Sequence, residues 1–320
     1  YRKVGHKMSQ LSVAAYLMGI PPGNTNPEKP KIIHNFIKGV NACGDKGAVV
    51  TGWHAMNTDV GVIQGFVHAN SKNSKHLRLR KSVFDNQINR GKRCVIVDAN
   101  LFLAYDRGNT HEYLRYSYDG IFPTTGEYCY DNPDPSRWKK MQQKLNIKVK
   151  DWNLDNGPAV LICCQRDGGW SMDKQEVVPW LVKTINEIRH HTDRQIIIRF
   201  HPGDKKARDH VRNLAKYKIA KIRISSNENI MQDFALAKCV INYNSSPAIV
   251  STIEGIPTIQ LDADRSQAAG VVHTKFEAIE NPVMFDRGPW LEKLAQCHWT
   301  LDELATGEAW RHMRRWAVKD

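Results

Sequence analysis

The sequence predicts an α/β protein built on parallel, doubly wound sheets. Two continuous apolar runs in its second half, 159–164 and 196–198, have the length of strands that are buried on both faces. Segment 174–191 lies between them, and its apolar residues recur at close to helical spacing. Strands that alternate with such helices are typical of a parallel sheet with helices on both faces. A chain of 320 residues suits two α/β domains of about 150 residues each.

The remaining elements follow from periodicity and from helix and turn signals. In the first half we expect an amphipathic helix at 9–18, a helix at 31–40, strands at 48–53 and 94–98, and a helix at 136–145. In the second half we expect helices at 205–217 and 229–237, strands at 221–224, 239–241 and 258–261, and a mostly helical tail at 289–318. The predicted domains are therefore 1–150 and 151–288, with residues 289–320 packing back on the first domain.

Composition restricts the class of partner and the compartment. The chain carries a formal charge of +13 with a pI near 9.4, which favours a polyanionic partner or anionic small substrates. Its seven cysteines are odd in number and form no C-x-x-C pair, so we expect buried thiols in a reducing, cytoplasmic compartment and no zinc site. No apolar run is long enough to predict a membrane span.

Polar residues and glycines follow three strands of the predicted second domain. These are Gln165, Arg166 and Gly168 after the first strand, Arg199 and His201 at the second, and Asn244, Ser245 and Ser246 after the third. The carboxyl ends of parallel strands form the ligand-binding edge of such a sheet. Each group alone is more typical of an ordinary turn, but their succession along one α/β half predicts a nucleotide-diphosphate site.

The helix that follows Ser246 strengthens this prediction. Pro247 suits the first helical position, Ser245 or Ser246 can cap it, and the free N–H groups of a helix start bind anions. Glu254 lies at the far end, where a carboxylate is a poor partner for the helix dipole, so we expect it to bind ribose hydroxyls. The alternative is an ordinary capped helix with a solvated Glu254.

The densest basic region is 71–93, and the residues that we select from it as a phosphate-tracking patch are Lys72, Lys75, Arg78, Arg80 and Lys81. The alternative is a solvated helix face. Five tyrosines follow in 105–130, where aromatic rings can stack on bases or simply fill the core.

Three strings, at 161–172, 196–204 and 244–259, resemble the donor half of GT-B glycosyltransferases, and most closely the capsule-polysaccharide type and related phage-encoded enzymes. The resemblance covers residues 137–262. It implies two Rossmann-like domains that face each other across a cleft, a nucleotide sugar (a UDP-sugar is expected) held by the C-terminal domain, and no cofactor or obligatory metal. It also implies that Arg199 and His201 contact the diphosphate or sugar, that Ser245 and Ser246 contact the phosphates, and that Glu254 contacts the ribose. Gln165 and Arg166 would line the same cleft.

Glycosyl transfer also needs a base for the acceptor hydroxyl. The candidates are Asp98, at the end of one predicted strand of the first domain, and His54, after another, with Asp59 and Asp119 as reserve candidates. An aspartate after a strand is otherwise a helix cap.

The basic run and the phage-like resemblance together favour 5-hydroxymethylcytosine in double-stranded phage DNA as the acceptor, with the modified base flipped out of the stack. Three alternatives stay open: a capsule or polysaccharide glycosyltransferase, a UDP-sugar epimerase-like or sugar-nucleotide-binding protein, and a catalytically silent DNA-binding protein.

Overall fold

The computed structural model of the chain describes residues 9–21, 28–68, 74–153 and 157–320. The chain divides into two compact units. Unit 1 comprises Tyr1–Leu145 together with Glu292–Asp320, and unit 2 comprises Asn146–Leu291. The two ends of the chain therefore build one unit, and the middle builds the other.

Unit 1 contains a six-stranded sheet of order β11-β5-β4-β3-β1-β2. Its strands are β1 (Ser12–Tyr16), β2 (Lys46–Val50), β3 (Val60–Gln64), β4 (Arg93–Asp98), β5 (Leu114–Tyr118) and β11 (His298–Trp299). β1 to β4 pair in parallel, whereas β5 runs antiparallel to both β4 and β11. The expected α/β class is confirmed, with the addition of this antiparallel strand near one edge.

Helices cover both faces of this sheet. Along β1, Val13 and Ala15 pack with α1 (Glu28–Ala42), α9 (Leu301–Ala305) and α10 (Glu308–Met313), while Ala14 and Tyr16 pack with α2 (Lys75–Asn89) on the other face. α3 (Pro135–Leu145) completes the helices of the first segment. The alternation along β1 is what a central strand buried on both faces requires.

Four strands of unit 1 differ from the sequence prediction, and two of them are β5, in the tyrosine-rich stretch, and β11, in the tail that was expected to be mostly helical. The expected helix at 9–18 is wrong, because Ser12–Tyr16 is a strand between β2 and β3 whose last four residues are all buried. The segment contains two alanines, so its apolar residues suit a helix as well as a strand until the neighbouring strands are known. The strand Val60–Gln64 was not predicted, since a glycine interrupts its apolar run.

Unit 2 contains a fully parallel five-stranded sheet of order β10-β9-β6-β7-β8. The strands are β6 (Ala159–Cys163), β7 (Ile196–Arg199), β8 (Ile222–Ile224), β9 (Ala237–Asn242) and β10 (Thr258–Gln260). The helices are α4 (Val177–Ile188), α5 (Ala207–Ala215), α6 (Ile230–Phe234) and α7 (Pro247–Ile253), and α8 (Gly288–Ala295) leads back to unit 1. Every strand predicted in this half is present, because the apolar runs of β6, β7 and β9 are completely buried.

Candidate functional site

Three loops meet at one edge of the unit 2 sheet. They follow β6, β7 and β9, which are neighbours or next neighbours in a parallel sheet, so their carboxyl ends lie on the same side. Gln165, His201 and Asn244 each lie two residues beyond the end of their strand. The structure therefore brings together the three groups that the sequence selected.

Gln165 and Asn244 join the first and third loops through reciprocal hydrogen bonds. Gln165 Nε2 donates to Asn244 Oδ1 at 3.0 Å, and Asn244 N donates to Gln165 Oε1 at 2.9 Å. Both side chains also donate to Ser171. Gln165 Nε2 donates to the Ser171 hydroxyl, and Asn244 Nδ2 donates to the Ser171 carbonyl. Because Gln165 is buried and both carboxamides are engaged, these residues fix the loops.

The network continues into residues that sequence reasoning missed. Asn244 Nδ2 donates to Asp262 Oδ2 at 3.0 Å, and Asp262 forms an ion pair with Arg265. Arg265 Nη2 also lies 2.8 Å from Asp173 Oδ2, which accepts a hydrogen bond from the Tyr243 hydroxyl. The charged D-A-D-R string after β10 was the available signal, since it follows a fourth strand end at the same edge.

Arg166 is an open cation in the loop after β6. It is exposed, and no hydrogen bond or ion pair holds its guanidinium within the ranges that the structure describes. A Cβ atom at Gly203 would lie 2.7 Å from Arg166 Nη2, so the guanidinium reaches from the β6 loop to the β7 loop. Gly168, in the same loop, has a φ of +63° and open space around it, so the backbone is accessible to a ligand there.

His201, in the loop after β7, lies beside Arg166 of the loop after β6. Its Nδ1 accepts a hydrogen bond from Gly203 N at 2.9 Å, which leaves Nε2 as the protonated nitrogen of the neutral ring. Burial lowers the pKa of His201, and the charge of Arg166 lowers it further. The imidazole is therefore a neutral donor near pH 7.

Ser245 and Ser246 precede α7. Ser246 is exposed and its side chain makes no capping hydrogen bond, so the expected serine cap of α7 is wrong. The Ser245 and Ser246 carbonyls instead accept the first backbone bonds of the turn. With only seven residues, α7 has a smaller dipole than the sequence suggested.

Arg199 lies behind the loops. It is buried, with Nη1 2.9 Å from Asp233 Oδ2, and its two Nη atoms donate to the carbonyls of Asn227 and Glu228. Asp233, which sequence reasoning missed, also accepts hydrogen bonds from Ser225 and Asn227. The guanidinium therefore holds the loop after β8.

Glu254 is not brought to this edge. It lies at the opposite end of α7, about 10 Å along the helix from Pro247. Its carboxylate forms an ion pair with Lys150, and the segment around it packs on the chain at 150–153 through Lys150 N and Asn153 N. This placement gives Glu254 a role in holding that segment.

In unit 1, Asp98 ends β4 and lies 2.9 Å from Arg115 Nη2. His54 is exposed on the loop between β2 and β3, which is held to the end of β1 by a hydrogen bond from Met56 N to the Tyr16 hydroxyl. Asp59 and Asp119 lie at the opposite edge of the sheet, where they accept hydrogen bonds from Ser12 N and Cys94 N near the starts of β1 and β4. Those two reserve candidates are therefore on the side away from the strand ends.

The basic patch on α2 is smaller than predicted. Arg80 is buried and donates through Nε to Gly19 O at 2.7 Å, because its long side chain crosses from α2 to the loop after β1. Lys75 lies 4.0 Å from the centre of the Trp53 ring, and Lys81 pairs with Asp85 on the helix surface. Arg78 is exposed, and Lys72 lies outside the described residues.

The ranges covered by the structure contain no group of three or more His, Cys, Asp or Glu side chains arranged to hold a metal ion. Within those same ranges, every helix is too short or too polar to cross a lipid bilayer.

Solved structures with the same architecture identify the fold. The chain aligns with the β-Kdo 2,7-transferase of Thermosulfurimonas dismutans KpsC at a TM-score of 0.51 and 13% identity, over 93% of this chain and 98% of that one. The β-Kdo 2,4-transferase of the same protein aligns at 0.54 and 10% identity, over 90% and 91%. The chain has the GT-B fold. No protein-family model and no curated protein matches the sequence, so at these identities the GT-B likeness is one of fold.

Proposed function

We propose that this GT-B protein is a glycosyltransferase that moves a sugar from a nucleotide-sugar donor to a hydroxyl acceptor. The observation that carries the proposal is the open guanidinium of Arg166 at the carboxyl edge of the unit 2 sheet. It lies beside His201, and the Ser246 hydroxyl at the same edge makes no capping hydrogen bond to α7. A leaving diphosphate requires positive charge and N–H or O–H donors already in place. Arg166, the His201 Nε2–H and the serine hydroxyls supply them, while the open space at Gly168 lets a ligand approach the loop closely.

The donor residues take two kinds of role in this proposal. Arg166, Gly168, His201, Ser245 and Ser246 contact the diphosphate or sugar of a UDP-sugar. Gln165, Asn244 and Arg199 hold the loops from behind, because their polar atoms are already engaged. Glu254 is left out of the donor site, and no metal is assigned a role.

For the base we favour His54 over Asp98. His54 is exposed and forms no hydrogen bond or ion pair within the described ranges, whereas the Asp98 carboxylate is paired with Arg115 and accepts from Ala99 N. Removal of a general base slows catalysis by about 10² to 10⁴-fold. We expect His54→Ala to lower kcat within that range while the affinity for UDP stays unchanged.

Two acceptors have support. The sequence-based proposal is 5-hydroxymethylcytosine in duplex DNA, which the exposed cations Lys75, Arg78 and Lys81 on α2 favour. A saccharide acceptor is the second, because both aligned GT-B structures are described as Kdo transferases. The burial of Arg80 removes one cation from the DNA patch and strengthens the second acceptor.

One assay tests the function and the acceptor together. The protein is incubated with a panel of nucleotide sugars and, in separate reactions, hydroxymethylated duplex, unmodified duplex and oligosaccharides, and products are weighed by mass spectrometry. Gain of a hexose-sized mass on the modified duplex alone supports DNA glycosylation, and gain on an oligosaccharide alone excludes it. Transfer must fail in Arg166→Ala and persist in Arg208→Ala, an exposed arginine on α5. UDP binding without transfer to any acceptor would contradict the proposed function.

A further inference from the structure

Unit 1 contains a cavity of about 550 Å³ that the function proposed above does not use. It lies between the start of α3 and the helix α10, and its walls come from both segments of unit 1. This volume falls within the range of small-ligand sites in proteins. The lining is mostly polar: three arginines, a lysine, two carboxylates, two carboxamides, a serine, a histidine and a tryptophan.

The floor of the cavity is a buried, fully engaged arginine. Arg137 Nη1 lies 2.7 Å from Glu303 Oε2, Nη2 donates to His298 O at 2.7 Å, and its Cζ is 3.8 Å from the centre of the Trp299 ring. Lys140 also reaches Glu303, at 3.5 Å. Glu303 offsets one of these two cations, so the floor is held rigidly and keeps an excess of one positive charge.

The rim carries two exposed arginines from the C-terminal segment, and one of them is held in place. Arg315 donates through Nε to His312 O at 3.2 Å and through Nη2 to His312 Nδ1 at 2.8 Å. His312 Nε2–H donates to Cys129 O, which leaves Nδ1 as the acceptor. Burial lowers the pKa of His312 to about 4, so the ring is neutral near pH 7 and keeps accepting from Arg315. Arg311 forms no hydrogen bond or ion pair within the described ranges.

Two carboxylates face the same space. Asp134 is exposed and accepts from Ser136 N, and Glu308 is half exposed and lies 3.5 Å from Arg137 Nη1. Sugar hydroxyls donate hydrogen bonds to such carboxylates, whereas the phosphodiester backbone of a DNA duplex offers them no hydroxyl donors. The exposed guanidiniums suit a carboxylate or phosphate on the same ligand, since an arginine fork binds either one through two hydrogen bonds.

We infer that this cavity binds a saccharide that carries acid groups, with Arg311 and Arg315 on the acid and Asp134 and Glu308 on the hydroxyls. The inference deepens the proposed function by naming the chemistry of a saccharide acceptor. Only the role of the ligand as acceptor rests on that function, because binding in unit 1 is measurable without any transfer.

The test uses isothermal titration of the full chain at low salt with tetragalacturonate, neutral maltotetraose and a short DNA duplex. We expect tetragalacturonate to bind, and the double variant Arg311→Ala, Arg315→Ala to weaken its binding by about tenfold or more. The matched control is Lys139→Ala, an exposed cation on α3 outside the cavity, which changes binding by less than about twofold. Thermal unfolding confirms that each variant is folded.

Four outcomes overturn the inference: no binding of tetragalacturonate, equal loss of binding in Lys139→Ala, maltotetraose binding as tightly as the acid, or tighter DNA binding that depends on the same two arginines. UDP titration of the same samples keeps this result separate from the proposed function. If tetragalacturonate binds through the arginines and no nucleotide sugar is used, the cavity assignment stands and the glycosyltransferase proposal fails.

Discussion

Arg199 and Asp233 form a buried ion pair in unit 2, with Arg199 Nη1 2.9 Å from Asp233 Oδ2 and the aspartate fully enclosed. Together they collect the polar groups of the loop after β8, since Asp233 accepts from Ser225 and Asn227 while Arg199 donates to two carbonyls of the same loop. The conformation of that loop depends on this pair.

Loss of either partner leaves an unpaired buried charge. We expect Arg199→Ala to lower the free energy of unfolding of unit 2 by about 3 to 5 kcal/mol, measured by urea denaturation. Arg212→Ala is the control, because Arg212 pairs with Asp209 on the exposed surface of α5 and its loss costs about 0.5 kcal/mol or less. Similar losses of unfolding free energy in both variants would show that the buried pair contributes no more to stability than the exposed one.

The affinity for UDP distinguishes the role of Arg166 from that of Glu254. We expect Arg166→Ala to weaken UDP binding by about tenfold or more, because it removes an open guanidinium at the strand ends. Glu254→Gln should leave UDP affinity unchanged and lower stability, since Glu254 is paired with Lys150 at the other end of α7. Calorimetric titration with UDP measures both effects. If Glu254→Gln weakens UDP binding as much as Arg166→Ala does, the ribose assignment made from the sequence is restored.

Arg199 and the strand β1 show what the sequence can and cannot predict. The three loops were selected correctly for proximity because parallel strands place their carboxyl ends together. The direction in which each side chain points was not predictable. Arg199 turns to Asp233, which is 34 residues later in the chain, and nothing near either residue in the sequence signals this pairing. Likewise, the strand β1 was mistaken for a helix because only its neighbours β2 and β3 reveal that both of its faces are buried.

Close helix packing in unit 1 depends on a glycine. A Cβ atom at Gly39 of α1 would lie 1.9 Å from Leu304 O of α9, so the two helices must separate to admit it. We expect Gly39→Ala to destabilise the protein by about 1 to 3 kcal/mol in spite of the better helix propensity of alanine. Gly52→Ala, where no atom lies within 4 Å of the added methyl group, should be close to neutral. Equal thermal midpoints for the two variants would contradict the packing argument.

We expect the protonation of His298 to lower the stability of the folded protein at acid pH. Burial lowers the pKa of His298 to about 3, and the neutral ring uses both nitrogens, donating to Leu294 O and accepting from Leu101 N. The unfolded chain protonates this histidine near pH 6.5, but the folded chain does not, so stability is complete above that pH and is lost as the pH falls below it.

Between pH 6.5 and pH 5 this single group accounts for a loss of about 2 kcal/mol. Urea denaturation across that range should show a shallower decline for His298→Gln than for the unchanged protein. The exposed His34→Gln on α1 serves as the control and should keep the full decline. A decline in His298→Gln as steep as that of the control would assign the acid sensitivity to other groups.

Unit 1 is built from two segments that are far apart in the sequence, and this affects the order in which the protein folds during synthesis. Asp45 accepts hydrogen bonds from Leu11 N, Trp310 Nε1 and Arg314, and β11 pairs with β5 at the edge of the sheet. A ribosome that has released residues 1–145 has therefore not yet supplied the partners of that unit, whereas unit 2 is encoded without interruption. Since domains fold as their segments emerge, we expect unit 2 to reach its native state first, whereas the strands made earlier cannot complete unit 1 until Glu292–Asp320 has been synthesised.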